Sequence, residues 1–146
     1  MKLKTLKRWL LAAAFYNFLF GIYAGLFPQH YFEFAQMPVN PLPQLWQCIG
    51  MIVGVYGLGY AIAARDPLRH WPIVLVGALG KIFGPLGFLM GILQGTLPWS
   101  FGWILLTNDL LWWPSFYCLL LAAARHHDFS LASFKKWISD LQAVLR

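Results

Sequence analysis

Charge is scarce in this sequence. Of its 146 residues only 11% are Asp, Glu, Lys or Arg, where a soluble domain carries about 25%. That leaves too little ionised surface to coat a water-facing globule. The 60% hydrophobic content excludes intrinsic disorder. Acidic residues are scarcer still, five against eleven basic ones, for a net charge of +6. The basic residues are not interleaved with a polar folded surface, however, so no nucleic-acid partner is expected. Nucleotide-binding loops, paired carboxylates and a thiol–histidine pair are all missing, and no cofactor is expected.

What the chain does have is long apolar runs, at 9–27, 46–64, 73–93 and 101–124. Each approaches or exceeds the ~20 residues that cross a ~30 Å hydrocarbon core at 1.5 Å per residue. None alternates with a period of two, so a β-barrel does not fit. The expected fold is all-α: a polytopic membrane protein, one domain over 1–146, built as a four-transmembrane-helix bundle. The three Ala residues at 12–14 follow a basic start, but the apolar stretch before them is too short for a signal peptide. The first run therefore reads as an uncleaved span.

Ten of the eleven Lys and Arg residues fall at 2–8, in the connection 65–72 and after 124; the connections 28–45 and 94–100 hold none. By the positive-inside rule both termini face the cytoplasm, which suits a bacterial inner membrane. Trp9, Trp46, Trp71, Trp99 and Trp103 are placed as an interfacial belt. After the fourth span, Leu131, Phe134, Trp137, Ile138, Leu141 and Leu145 recur at helical spacing, with Lys135 and Lys136 off that face. An amphipathic helix over 130–146 is predicted to lie in the interface, its lysines meeting anionic headgroups of the lipid bilayer. A partner-binding helix is the alternative.

Two ionised residues fall inside the apolar runs. Lys81 lies about 12 Å into the third span, and Asp109 enters the fourth from the other side to a depth within about 6 Å of it. An isolated charge there costs roughly 2.5–3.5 kcal/mol even on the lenient insertion scale, and pairing removes most of that cost. The two are expected to face each other. Asn17, Tyr56 and Asn108 bring polar groups from the remaining segments to a similar depth. Pro85 and Pro114 would release the carbonyls of Lys81 and Leu110. Trp112 and Trp113 sit too deep for belt residues. Together they read as a ligand-binding pocket built on Lys81, Asp109, Asn108, Asn17, Tyr56, Trp112 and Trp113. A polar knot that fixes helix register is the competing reading.

Glycines 77, 80, 84, 87 and 91 form a stripe on the third span, and 50, 54 and 57 another on the second. Such small-residue faces mark close helix contact, within one bundle or in a homo-oligomer. Cys48 and Cys118 differ in depth by about 23 Å at the helical rise, too far to pair, and both are expected to be buried thiols. His70, His126, His127 and Asp128 cluster at the cytoplasmic border, but adjacent histidines diverge on a helix, and no metal site is assigned. His30 and Glu33 lie one turn apart in the outer connection and read as a solvated face.

Asn17 with Gly21 and Pro28, the run from Gly80–Lys81 through Gly84–Pro85 to Gly87, and Asn108–Asp109 followed by Trp112–Trp113 resemble the small bacterial four-helix membrane proteins of the DoxX-like group. The resemblance covers roughly 15 to 121. It implies a four-helix bundle of loosely defined activity, linked in some members to membrane redox or envelope stress, and supplies no catalytic residues. The expected function is binding of a small amphiphilic ligand or membrane partner at the midplane. In that site Lys81 meets an anionic or carbonyl group, with Asp109 as counter-ion and Trp112 and Trp113 around the apolar body. The alternatives are a membrane enzyme acting on a lipid or quinone-like substrate, and a proton-coupled carrier.

Overall fold

The computed structural model describes residues 1–127 and 142–143, and the amphipathic helix expected over 130–146 lies outside them except at those last two positions. Long helices form over Leu3–Leu26 (α1), Pro43–Arg65 (α3) and Trp71–Leu93 (α4), with a one-turn helix His30–Phe34 (α2) in the first connection. The fourth span is built in pieces: a 3-10 turn Trp99–Gly102, helix α5 (Trp103–Asn108), a second 3-10 turn Leu110–Trp112, and helix α6 (Trp113–His126). Four helical stretches are long and apolar enough to cross a membrane, the last running from Trp99 to His126. The chain is an all-helical, multi-pass membrane bundle.

Each span begins earlier than the apolar run alone suggests. α1 takes in 3–8 because Lys4, Lys7 and Arg8 are good helix formers whose charges need not leave the helix. In α3 and α4 a proline fills the first turn, where its missing N–H is not needed. α1 and α3 share the most extensive interface, while α4 rests more lightly on α6 and α3. The cause lies in the glycines. A Cβ on Gly21 would stand 2.8 Å from the Gly50 carbonyl, and one on Gly57 2.9 Å from the Ala14 carbonyl, so the two backbones are in direct contact. On α4 the stripe divides. Gly77, Gly84 and Gly91 face neighbours, whereas a Cβ on Gly80 or Gly87 would meet nothing within 4 Å.

The two ends of the bundle are tied differently. At the basic end Lys7 Nζ donates to the Arg65 carbonyl (2.8 Å), and His127 Nε2 lies 2.7 Å from the Leu68 carbonyl. At the other end an aromatic cluster forms around Trp46, which is buried rather than interfacial as its position at a span border suggested. It stacks on Tyr31 (5.8 Å, 8° between planes) and meets Phe20 and Phe101 edge-on. Trp9 also turns inward, edge-on to Trp112 at 5.9 Å. Cys48 is exposed on the flank of α3 rather than buried, and Cys118 is half-buried.

Tyr31 is the latch of the non-basic end. Its hydroxyl donates to the Phe101 carbonyl (2.6 Å) and accepts from the Ile104 N–H (2.9 Å). It thereby fixes α2 to the start of the fourth span. Ser100 Oγ adds a bond to the Ala35 carbonyl (2.5 Å). Tyr31→Phe is expected to lower stability by about 1–2 kcal/mol, since a buried N–H and carbonyl lose their partner together. Burial also pushes the Tyr31 phenol above its ordinary value of 10.0. With the folded value raised, the contribution of Tyr31 is complete below pH 10 and fades as pH rises through the folded value. Unfolding of the two proteins at pH 8 and pH 11 checks both points: the difference between them should shrink in alkali.

Candidate functional site

The fourth span breaks where its sequence is most polar. Asp109 leaves the helical region at φ −120°, ψ −66°, between α5 and the 3-10 turn. Pro114, second residue of α6, cannot donate to Leu110, whose carbonyl is taken instead by the Trp113 N–H. The break exposes carbonyls that a continuous helix would use, and side chains satisfy them. Trp112 Nε1 donates to the Thr107 carbonyl (2.8 Å) and Lys81 Nζ to that of Asn108. In α4, Pro85 leaves the Lys81 carbonyl without its helical donor, and Trp113 Nε1 supplies one at 3.1 Å. Lys81 is therefore joined to the fourth span twice, as a donor through its ammonium and as an acceptor through its backbone.

The expected meeting of Lys81 and Asp109 occurs, but indirectly. Both are buried, at 5% and 4% exposure, and their charges interact. The hydrogen bond of the ammonium goes to the Asn108 carbonyl next to Asp109. The carboxylate rests where a Cβ on Gly84 would be 3.1 Å away, and it accepts from Asn108 Nδ2 at 3.1 Å. Gly84 thus has a chemical use beyond helix contact: a Cβ there would crowd the Asp109 carboxylate by a few tenths of an ångström.

Asn17 reaches the same level of the bundle. A Cβ on Gly77 would collide with the Tyr60 ring, which places Tyr60 of α3 opposite Gly77 of α4. Lys81 lies about 6 Å beyond Gly77 along α4, and Gly57 about 4.5 Å beyond Tyr60 in the same direction, since the helices are antiparallel. Asn17 packs its Cβ against the Gly57 position. It is 1% exposed, and its Oδ1, like that of Asn108, is buried with no hydrogen-bond partner.

The remaining expected residues separate. Trp112 is buried in the core against Trp9 and Tyr16, while Trp113, 41% exposed, faces outward. The two do not enclose one pocket, because consecutive residues at the start of a helix point about 100° apart. Tyr56 is half-buried and borders a groove on the flank of α3 with Cys48 and Met51. One turn along, Tyr60 takes the interior position instead and interacts with Asp109. Sequence spacing offered Tyr56 and Tyr60 equally; the small Gly77 opposite Tyr60 was the available signal. Tyr16, half-buried against Trp112, and the exposed Thr107 are hydrogen-bonded at 2.9 Å on the outer edge of this region and were missed.

Beside the polar contact, between α4 and α6, runs a lateral groove of about 590 Å³. Its lining is apolar and includes Ala78 and Ile82, which flank Lys81 in sequence, with Trp113, Phe116 and Tyr117 opposite. No family model, curated protein or solved structure matches this chain. At the basic border, His126 and His127 stand edge to face at 4.9 Å. Among the described residues no three potential ligands gather around a metal position, and Asp128 lies outside them.

Proposed function

We propose that this membrane protein binds a small amphiphile, with its polar end at the Lys81–Asp109 contact and its apolar body in the groove between α4 and α6. The observation that carries this reading is the unmatched hydrogen bonding of the interior. Lys81 has three donors and gives one to the Asn108 carbonyl. At its level two buried amide oxygens, on Asn17 and Asn108, accept nothing. Buried acceptors without partners cost about 1–3 kcal/mol each. A guest with an acceptor for Lys81 and a donor for the asparagines, such as a hydroxyl or quinol head, relieves both. Trp113 stands between groove and lysine, so its indole forms the wall that such a guest must pass.

The wider reading is that of a bacterial inner-membrane protein with cytoplasmic termini, supported by the gathering of basic residues at one end of the bundle. The segment after 127 would meet anionic headgroups there, and the open Gly80–Gly87 face of α4 suits a second copy. The resemblance to the DoxX-like group is compatible with all of this and adds no chemistry to it. Native mass spectrometry of the protein extracted in its own lipids tests the site. Wild type is expected to retain an amphiphile, and the charge-balanced Lys81→Met, Asp109→Leu variant to lose it while staying folded. A folded double variant carrying the same adduct at the same occupancy, or a wild type with none, refutes the proposal.

A further inference from the structure

At the end of the bundle opposite the basic residues, the last turn of α1 and the start of α2 border an open surface hollow of about 510 Å³, with Tyr23 half-buried and Phe27, His30 and Glu33 exposed. Three rings line it. Tyr23 and Phe27 have centroids 6.2 Å apart, Tyr23 and His30 5.7 Å, and Phe27 and His30 6.5 Å, with planes inclined at 41°, 52° and 67°. The three rings pack against one another at inclined angles, and their outward faces form the aromatic wall of the hollow. Glu33, one turn after His30 on α2, lines the rim of the hollow as an exposed carboxylate whose charge acts on Tyr23. The wall is held in place from behind. Gln29 Nε2 donates to the Asn40 carbonyl (2.8 Å), and Gln29 Oε1 accepts from the Asn40 N–H (2.9 Å).

We propose that Tyr23, Phe27, His30 and Glu33 form a binding site for an organic ammonium cation of the choline type. Aromatic faces attract a cation through their quadrupoles, most strongly when its charge is spread over methyl groups that shed water easily. The carboxylate adds a full opposite charge, and the hollow sits at the C-terminus of α1, the negative end of that helix dipole. Nothing nearby competes for the site. No Lys or Arg occurs between Arg8 and Arg65, or in the connection 94–100 that covers the same end. Among the described residues Glu33 is thus the lone Asp, Glu, Lys or Arg at this end, placed beside the rings of the hollow. The hollow also shares Tyr23 with a groove lined by Tyr16, Phe20 and Trp103, so a cation with an apolar tail can extend along the bundle.

Equilibrium dialysis of radiolabelled choline against the purified protein in maltoside micelles tests the site. Choline is expected to bind and to be displaced by tetramethylammonium. Its neutral isostere 3,3-dimethylbutanol should compete at least roughly fivefold less well, since only the charge differs. Glu33→Gln, an exposed position whose replacement leaves the fold intact, should weaken choline roughly five- to tenfold. Phe27→Leu should weaken it about two- to fivefold. Doping the micelles with phosphatidylcholine separates the two sources of this chemistry. Competition identifies a lipid headgroup as the natural occupant, and its absence, with choline still bound, a free cation. Absence of choline binding, equal competition by the neutral isostere, or an unchanged affinity in Glu33→Gln overturns the proposal.

Discussion

Lys81→Met is expected to cost about 3–5 kcal/mol of stability, the range for removing one partner of a buried charge pair. If Lys81 served a ligand alone, this substitution would spare the fold and remove only the ligand. The structure revises that expectation, because the ammonium also holds the Asn108 carbonyl at the break in the fourth span. Methionine fills the volume but leaves that carbonyl without its donor and the Asp109 carboxylate without a counter-charge, in a low-dielectric interior where neither finds water. Changing Asp109 to Leu as well removes the stranded charge, so the double variant should recover most of the loss. Reversible unfolding in mixed micelles, followed by far-UV circular dichroism, measures all three proteins. A single variant within about 1 kcal/mol of wild type would show that Lys81 is not held as described.

Gly21→Val and Gly57→Val should each destabilise by about 3 kcal/mol or more, at the upper end of overpacking effects. The added atoms would meet carbonyl oxygens of the facing helix, 2.8 and 2.9 Å from the first carbon alone, and backbone cannot rotate away as a side chain does. α1 and α3 must then part along their length. Gly80→Ala and Gly87→Ala on α4 provide the contrast: they meet nothing and should leave monomer stability unchanged or raise it by up to about 1 kcal/mol. Thermal unfolding of the four variants checks the difference. Size-exclusion chromatography with light scattering on the Gly80 and Gly87 variants reports whether their face serves a second copy.

How much of this was legible beforehand depends on what each feature rests upon. The four spans follow from hydropathy and length, which act locally and leave few alternatives in a bilayer. The approach of Lys81 to Asp109 follows from depth, because helical rise converts sequence position into height. Rotation is another matter. Height does not say which way a side chain turns, so Tyr56 was chosen where Tyr60 is interior, and Trp112 and Trp113 were placed on one wall although they point about 100° apart. The glycine stripe of α4 was read as a single contact face, yet only Gly77, Gly84 and Gly91 meet neighbours. His30 and Glu33 are exposed, as a solvated face requires, and the rings of Tyr23 and Phe27 come beside His30 only after the chain turns at Pro28.

The break at Asp109 has a bearing on how the chain enters its membrane. Taken alone, the segment from Trp99 to His126 carries an acidic side chain and interrupted backbone pairing into hydrocarbon, and two of its polar groups find their complements only on α4. Its partitioning is therefore conditional. The third and fourth segments belong together as an insertion unit, the earlier one waiting with an unneutralised lysine until the later one arrives.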